Sequence, residues 1–188
     1  MAIWQERAEL LFKEEGLKNL KNSNVLIVGL GGVGSFAAEF VARAGVGKMT
    51  IVDGDTVDIT NINRQLPALH STVGMNKVDV VGDRLMDINP ELELTRINEF
   101  LSPERTHEIV TEDFDYVMDC IDSVTPKLNL IIAAKRKKIK VVSNMGAGPD
   151  ETDSHEVEIG INYAGGIRMI AQSEIKSITA NSATFGEL

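Results

Sequence analysis

The chain has 188 residues, 43% hydrophobic and 25% charged, which suffices for one domain with a packed core and an ordinary soluble composition. Its formal net charge is −9, whereas a protein that grips nucleic acid with its whole surface would be basic. The one cysteine, Cys120, excludes an internal disulfide and a cysteine-built zinc site; the apolar runs are far shorter than a membrane span and "MAIWQERAELLFKEEG" holds no secretory h-region, so a cytoplasmic protein without a membrane partner is expected.

Residues 2–22 read as a helix with Leu10, Leu11, Leu17 and Leu20 near one face. "NVLIVGL" (24–30) is a continuous apolar run ending in glycine, as in a strand buried on both faces of a parallel sheet. After a glycine-rich turn, "SFAAEFVARAG" repeats Phe36, Phe40 and Val41 at helical spacing and stops at Gly45. "KMTIVDGD" (48–55) is a second strand, completing a βαβ unit. Val73 to Ile88 reads as a helix with Val78, Val81, Leu85 and Ile88 on one face, and "ELELTRIN" (91–98) alternates like a strand. Ser102 followed by Pro103 marks a helix start at "SPERTHEIV" (102–110). "FDYVMDC" (114–120) is a buried strand, "TPKLNLIIAAKRKK" (125–138) a helix with a second cap–Pro start, and "KVVSNMGAG" (140–148) a further strand. The basic run "AAKRKKIK" (133–140) is read as the solvated end of that helix, where cations suit the dipole. Strands and helices alternate throughout, so the class is α/β, Rossmann-like, a mostly parallel sheet with helices on both faces. Residues 149–188 are polar and glycine-rich; in them "IRMIAQSEI" has strand character and the rest stays unassigned.

Gly29, Gly31 and Gly34 form a G-x-G-x-x-G between a strand and a helix, with Gly32 inside it, and Asp53 follows at the end of the next strand. That context favours a nucleotide site, with the ribose on Asp53 and a phosphate on the helix N-terminus. Read alone, the loop suits NAD. "DGDTVDITNINRQLP" (53–67) adds Asp55, Asn61, Arg64 and Gln65, "GMNK" (74–77) adds Lys77, and "DCIDS" (119–123) adds Asp119 and Asp122. An arginine, a lysine and a carboxylate around one glycine loop suit a triphosphate with a metal ion: Arg64 and Lys77 can neutralise phosphoryl charge, and Asp122 can hold Mg²⁺.

These stretches together, from "RAELLFKEEGLKNLKNSNVLIVGLGGVGS" through "VDGDTVDITNINRQ", "VGMNKVDVVGDRLMDINPE" and "DYVMDCIDSVTPK" to "VVSNMGAG", resemble the adenylating superfamily of ThiF, MoeB, HesA and the ubiquitin-activating enzymes, over residues 7 to about 148. The resemblance implies attack of a carboxylate on the α-phosphate of ATP, giving an acyl-adenylate and pyrophosphate. It implies a catalytic set of Arg64, Lys77, Asp122 and Arg7, the last reaching the γ-phosphate across a homodimer. Gly29, Gly31, Gly32, Gly34, Asp53, Asp55, Asn61, Gln65 and Ser123 would bind ATP, with Mg²⁺ on Asp122. "TNINRQ", "DSVTPK" and "GAG" (146–148), with too few cysteines for the paired C-x-x-C zinc ligands of MoeB and ThiF, point to the tRNA threonylcarbamoyladenosine dehydratase branch. That branch implies tRNA as substrate. The alternatives are adenylation of a ubiquitin-like sulfur-carrier protein, which brings in a sulfur-carrier or cysteine desulfurase partner, and an NAD-binding oxidoreductase or ligand-sensing module. Cys120 reads as a small buried residue rather than a transfer nucleophile. Residues 1–148 are expected to form the ATP-binding adenylation domain and 149–188 a compressed or incomplete continuation of it.

Overall fold

A computed structural model describes residues 3–144 and the strands Val157–Ile161 and Ile167–Ala171. Five parallel strands, β1 (Asn24–Val28), β2 (Lys48–Val52), β3 (Glu93–Ile97), β4 (Tyr116–Asp119) and β5 (Lys140–Ser143), lie in the order β3-β2-β1-β4-β5. The expected α/β, Rossmann-like class is therefore observed. The order reverses between β1 and β4, opening a crevice at the carboxyl ends of those strands, where such sheets bind ligands. In register, Val28 pairs with Val52 on one side and with Asp119 on the other, Val52 with Ile97, and Asp119 with Ser143. Gly29, Asp53, Cys120 and Asn144 each follow directly, so four connections leave from one edge.

The strand residues alternate between two cores because each strand is covered on both faces. Val25, Ile27, Met49 and Ile51 pack on α2 (Gly34–Ala44) and α3 (Lys77–Ile88) through Ala38, Ala42, Val78, Val81 and Leu85. Leu26, Val28, Val52 and Val117 pack on the opposite side with Val110, Leu130, Ala133 and Ala134, beneath α4 (Pro103–Ile109) and α5 (Val124–Arg136). The predicted cap at Ser102 is present: its hydroxyl accepts the Arg105 amide at 3.1 Å.

Several expectations change. A 3₁₀ turn (Ile3–Gln5) precedes α1 (Glu6–Asn22), and α1 breaks at Lys13 (φ 62°). The break divides the expected leucine face: Leu17 is buried and Leu20 half-buried, while Leu10 and Leu11 are 67% and 74% exposed. On α2 the small residues Ala38 and Ala42 face the sheet core, and Phe36 and Phe40 point outward. α3 starts at Lys77, four residues later than the apolar pattern suggested, since Val73 to Asn76 are held in turns and a bridge to Thr56. α5 begins at Val124, so that Ser123 rather than Thr125 stands at the position before its first turn. Strand character at "IRMIAQSEI" is realised by Ile167–Ala171, paired antiparallel with Val157–Ile161. The expected "GAG" (146–148) and the remainder of 149–188 lie outside the described residues. Among the described residues no helix is long and apolar enough to cross a membrane.

Candidate functional site

Two glycines of the loop are demanded by close approach. Gly29 has φ +90°, and a Cβ there would stand 2.6 Å from the Cys120 carbonyl oxygen. A Cβ on Gly34 would stand 1.8 Å from the Gly29 carbonyl oxygen. The loop therefore turns tightly into α2, where the Ser35 amide donates to the Gly31 carbonyl at 3.3 Å, and lets backbone from the β4 connection touch it. Asp53 braces the loop from β2: its Oδ2 accepts the Leu30 amide at 2.6 Å and its Oδ1 the Asp55 amide at 2.8 Å. Burial pushes its carboxyl above the usual range, against those two bonds and the Lys77 charge. The residue expected to meet the ribose thus also fixes the loop.

Arg64 and Gln65 lie against the loop. A Cβ on Gly32 would meet the Arg64 carbonyl oxygen at 3.4 Å and its Cγ at 3.7 Å, and one on Gly31 would meet Gln65 Nε2 at 3.7 Å. The exposed Arg64 guanidinium donates to the Thr60 carbonyl (3.3 Å) and Asn63 Oδ1 (2.9 Å), and has no carboxylate partner among the described residues. The buried Oε1 of Gln65 has no hydrogen-bond partner among the described residues, an arrangement that a folded chain seldom leaves unanswered. Asn61 Oδ1 accepts the Asp58 amide at 3.1 Å in a capping box, which leaves its Nδ2 donors for a ligand.

Lys77 is only 5% exposed and its Nζ lies 2.9 Å from Asp55 Oδ2, with the Lys77 amide on the Asp55 carbonyl at 3.0 Å. The structure thus brings two expected site residues together as partners of each other. Because half of the Asp55 side chain is open to solvent, the pair can be exchanged for a phosphate without burying a bare charge.

Across the crevice, Asp122 and Ser123 are exposed on the turn from β4 into α5, with the Ser123 hydroxyl donating to Asp122 Oδ1 at 3.3 Å. Ser123 makes no cap bond to α5. Among the described residues no group of three metal-ligating side chains occurs. A single exposed carboxylate fits Mg²⁺, which keeps waters and takes its other ligands from substrate phosphates. Cys120 is half-buried with its thiol pushed up to about 11, by burial first and then by the charge of Asp119, offset by Lys127. Arg7 is exposed on the first turn of α1 and has no hydrogen-bond or ion-pair partner among the described residues; Trp4 and Gln5, just before it, lie against Gly45 at the far end of α2 from the glycine loop.

Lys127 escaped the sequence reading. It is fully buried, with Nζ 2.7 Å from Asp119 Oδ2. The pattern carried a signal: Lys127, Leu130, Ile131 and Ala134 share one helical face, and all four are 0% exposed. A lysine on an apolar face, in the first turn where the dipole opposes a cation, implies a buried carboxylate nearby. A polar groove of ≈ 390 Å³ lined by Asn24, Lys48, Glu93 and Asp113 lies at the amino ends of the strands, the opposite edge from this chemistry.

Residues 5–161 match the model of the ThiF family. The tRNA threonylcarbamoyladenosine dehydratase of Bacillus subtilis is 46% identical over 153 residues, 81% of this chain and 60% of that protein. The molybdopterin-synthase adenylyltransferase of Escherichia coli is 39% identical over 132 residues, 70% of this chain and 53% of that protein. The crystal structure of the E. coli dehydratase TcdA in complex with ATP has a TM-score of 0.74 at 37% identity, covering 84% of this chain and 67% of that chain. The chain spans about three-fifths of the length of the bacterial dehydratases it matches.

Proposed function

The chain belongs to the ThiF family, and from that premise we propose that it uses ATP to activate the threonyl carboxylate of N6-threonylcarbamoyladenosine in tRNA for cyclisation. The carboxylate oxygen attacks the α-phosphorus, the bond to the bridging oxygen breaks, and pyrophosphate leaves. The carbamoyl group then displaces AMP from the acyl-adenylate, closing the ring with net loss of water. The observation that carries this reading is the lining of one crevice: Arg64 and Gln65 lie against the glycine loop, and the buried Lys77 is held by a partner that a phosphate can replace.

In this reading the Gly29–Gly34 turn and the α2 amides receive the phosphates. Asp53 holds the ribose hydroxyls. Asp55 presents Lys77, and Lys77, Arg64, Gln65 and the Nδ2 of Asn61 hold the triphosphate while charge develops on its oxygens. Asp122, steadied by Ser123, would hold Mg²⁺, which would supply neutralisation of the phosphate charge. Residues 149–188 continue the same domain, a reading supported by the family match running past residue 148. The reaction belongs in the cytoplasm, with its tRNA.

We further assign a homodimer. Leu10, Leu11 and Phe12 on α1 and Phe36 and Phe40 on α2 are 41–74% exposed, large apolar side chains that a subunit contact would cover. Arg7, free of partners in its own chain among the described residues, then reaches the γ-phosphate of the other subunit. Mixing the inactive variants Arg7→Ala and Arg64→Ala should restore activity through heterodimers; mixtures no better than their components refute the crossing.

The test of the main reading is incubation with ATP and threonylcarbamoylated tRNA. Mass spectrometry should find the modified nucleoside lighter by one water, with AMP and pyrophosphate released. An unchanged nucleoside mass overturns it. The second reading, adenylation of a sulfur-carrier protein, rests on the likeness to the molybdopterin-synthase adenylyltransferase. It requires pyrophosphate exchange that depends on a small protein ending in Gly-Gly.

A further inference from the structure

The β4 connection that carries Asp122 is tied down by a buried cluster. Asp119, the last residue of β4, is 0% exposed, and so is Lys127. Asp119 Oδ2 accepts the Lys127 ammonium (2.7 Å) and the Ser143 hydroxyl, and its Oδ1 accepts the Ile121 amide at 3.1 Å. The Lys127 ammonium also donates to the Asn144 carbonyl at 2.9 Å, and the Asn144 amide donates to the Asp119 carbonyl at 2.9 Å. One carboxylate thus joins the ends of β4 and β5, the first turn of α5 and the turn leading to Asp122. That turn is also fitted to the glycine loop, where the Cys120 carbonyl occupies the space a Gly29 side chain would need.

A buried ion pair is an inefficient way to hold a fold together, since apolar residues of similar volume do as well or better. What it supplies is a fixed geometry, because every alternative arrangement leaves a charge unsatisfied. Its location decides what is fixed: Ile121 is the residue before Asp122, and Lys127 donates its own amide to the Ser123 carbonyl at 3.3 Å. The cluster therefore grips both ends of the Ile121–Asp122–Ser123 turn while touching neither Arg64 nor Lys77.

We infer that Lys127 is a positioning residue: through Asp119 it sets the place of the Asp122 turn relative to the glycine loop, and so the rate of the chemical step rather than the affinity for ATP. The inference rests on the adenylation reading. It separates two effects that a loss of fold would mix. Misplacing a reacting group by about 1 Å costs on the order of 10²-fold in rate, whereas Arg64, Gln65, Lys77 and Asp53, assigned to the triphosphate and the ribose, stand on other elements.

The test uses the paired variant Lys127→Met with Asp119→Asn, which removes both charges, leaves no buried unpaired ion, and keeps an oxygen for the Ile121 amide. Two readouts are compared with the unaltered protein. Pyrophosphate-exchange kcat should fall ~10–100-fold while the ATP Kd changes by less than about threefold. Alkylation of Cys120 by iodoacetamide should accelerate by about tenfold or more as the turn loosens; Asp119 and Lys127 push the thiol in opposite directions, so removing both leaves the exposure of Cys120 as the main change. If the paired variant does not fold, Ser143→Ala, which removes one donor from Asp119 and leaves the ion pair, should move both readouts the same way by less. A folded variant in which either kcat or the alkylation rate is unchanged overturns the positioning role. If the unaltered protein exchanges no pyrophosphate with any carboxylate substrate, the adenylation reading fails, and the alkylation arm alone decides the clamp.

Discussion

On the β1–β2 side of the crevice the charged groups are placed so that a ligand can reach them: Asp55 is half open, Arg64 is exposed, and Lys77 is held by one exchangeable carboxylate oxygen. On the β4–β5 side, Asp119, Lys127 and Ser143 are sealed from solvent and hold only one another and backbone. The first side can trade its internal bonds for bonds to phosphate; the second cannot, and serves as the fixed wall against which the first works. Half-open pairs cost little to break, whereas sealed ones tolerate no partial loss. One crevice therefore joins an adaptable half to a rigid half.

The largest change should come from the contact between the halves. Gly34→Val places a side chain against the Gly29 carbonyl, which a Cβ already approaches to 1.8 Å, and against the Cβ of Cys120 across the seam at 2.9 Å, and should abolish nucleotide binding outright; equilibrium dialysis with ATP checks this, and retained binding would show that the turn can relax. Next, Arg64→Ala on the adaptable side and Asp122→Ala on the rigid side should each lower adenylation by ~10²–10³-fold with thermal unfolding unchanged. Pyrophosphate exchange measures both, and a fully active Asp122→Ala enzyme would mean the metal is placed wrongly. Cys120, at the seam, should alkylate ~10²-fold more slowly at pH 8 than a free thiol, with the rate climbing until the pH nears its value of about 11; a plateau near pH 9 would mean that the seam is open. Asp55→Asn, which only loosens the grip on Lys77, should change ATP affinity by about tenfold or less.

The smallest effect lies away from the crevice. Glu39 joins α2 to α3, and the Arg84 hydrogen bond holds its carboxyl below the usual carboxylate range. A depressed folded value means stability that is complete above the ordinary carboxylate pKa and is lost as the pH falls through the depressed one. Glu39→Gln should flatten that acid limb of thermal stability and leave activity untouched.

The sequence revealed the adaptable half because its function is written in local strings: a strand ending in G-x-G-x-x-G, an aspartate at the next strand end, and Asn61, Arg64 and Gln65 in one turn. The alternation of strands and helices gave the sheet and its two cores. The rigid half depends on residues that only tertiary structure brings together. Asp119 and Ser143 meet because β4 pairs with β5 in register, and Lys127 joins them from a helix face that the pattern marks as apolar. The surface of α1 and α2 misled for a related reason. Leu10, Leu11, Phe36 and Phe40 have helical spacing, but spacing alone does not say whether an apolar face meets its own core or another molecule.

The central claim is that this crevice is made for ATP rather than a redox dinucleotide, and equilibrium binding by titration calorimetry tests it most directly. With Mg²⁺ present, ATP should bind, NAD should neither bind measurably nor displace it, and Arg64→Ala should weaken ATP binding. Binding of NAD at least as tight as that of ATP, indifferent to Arg64→Ala, would contradict the account.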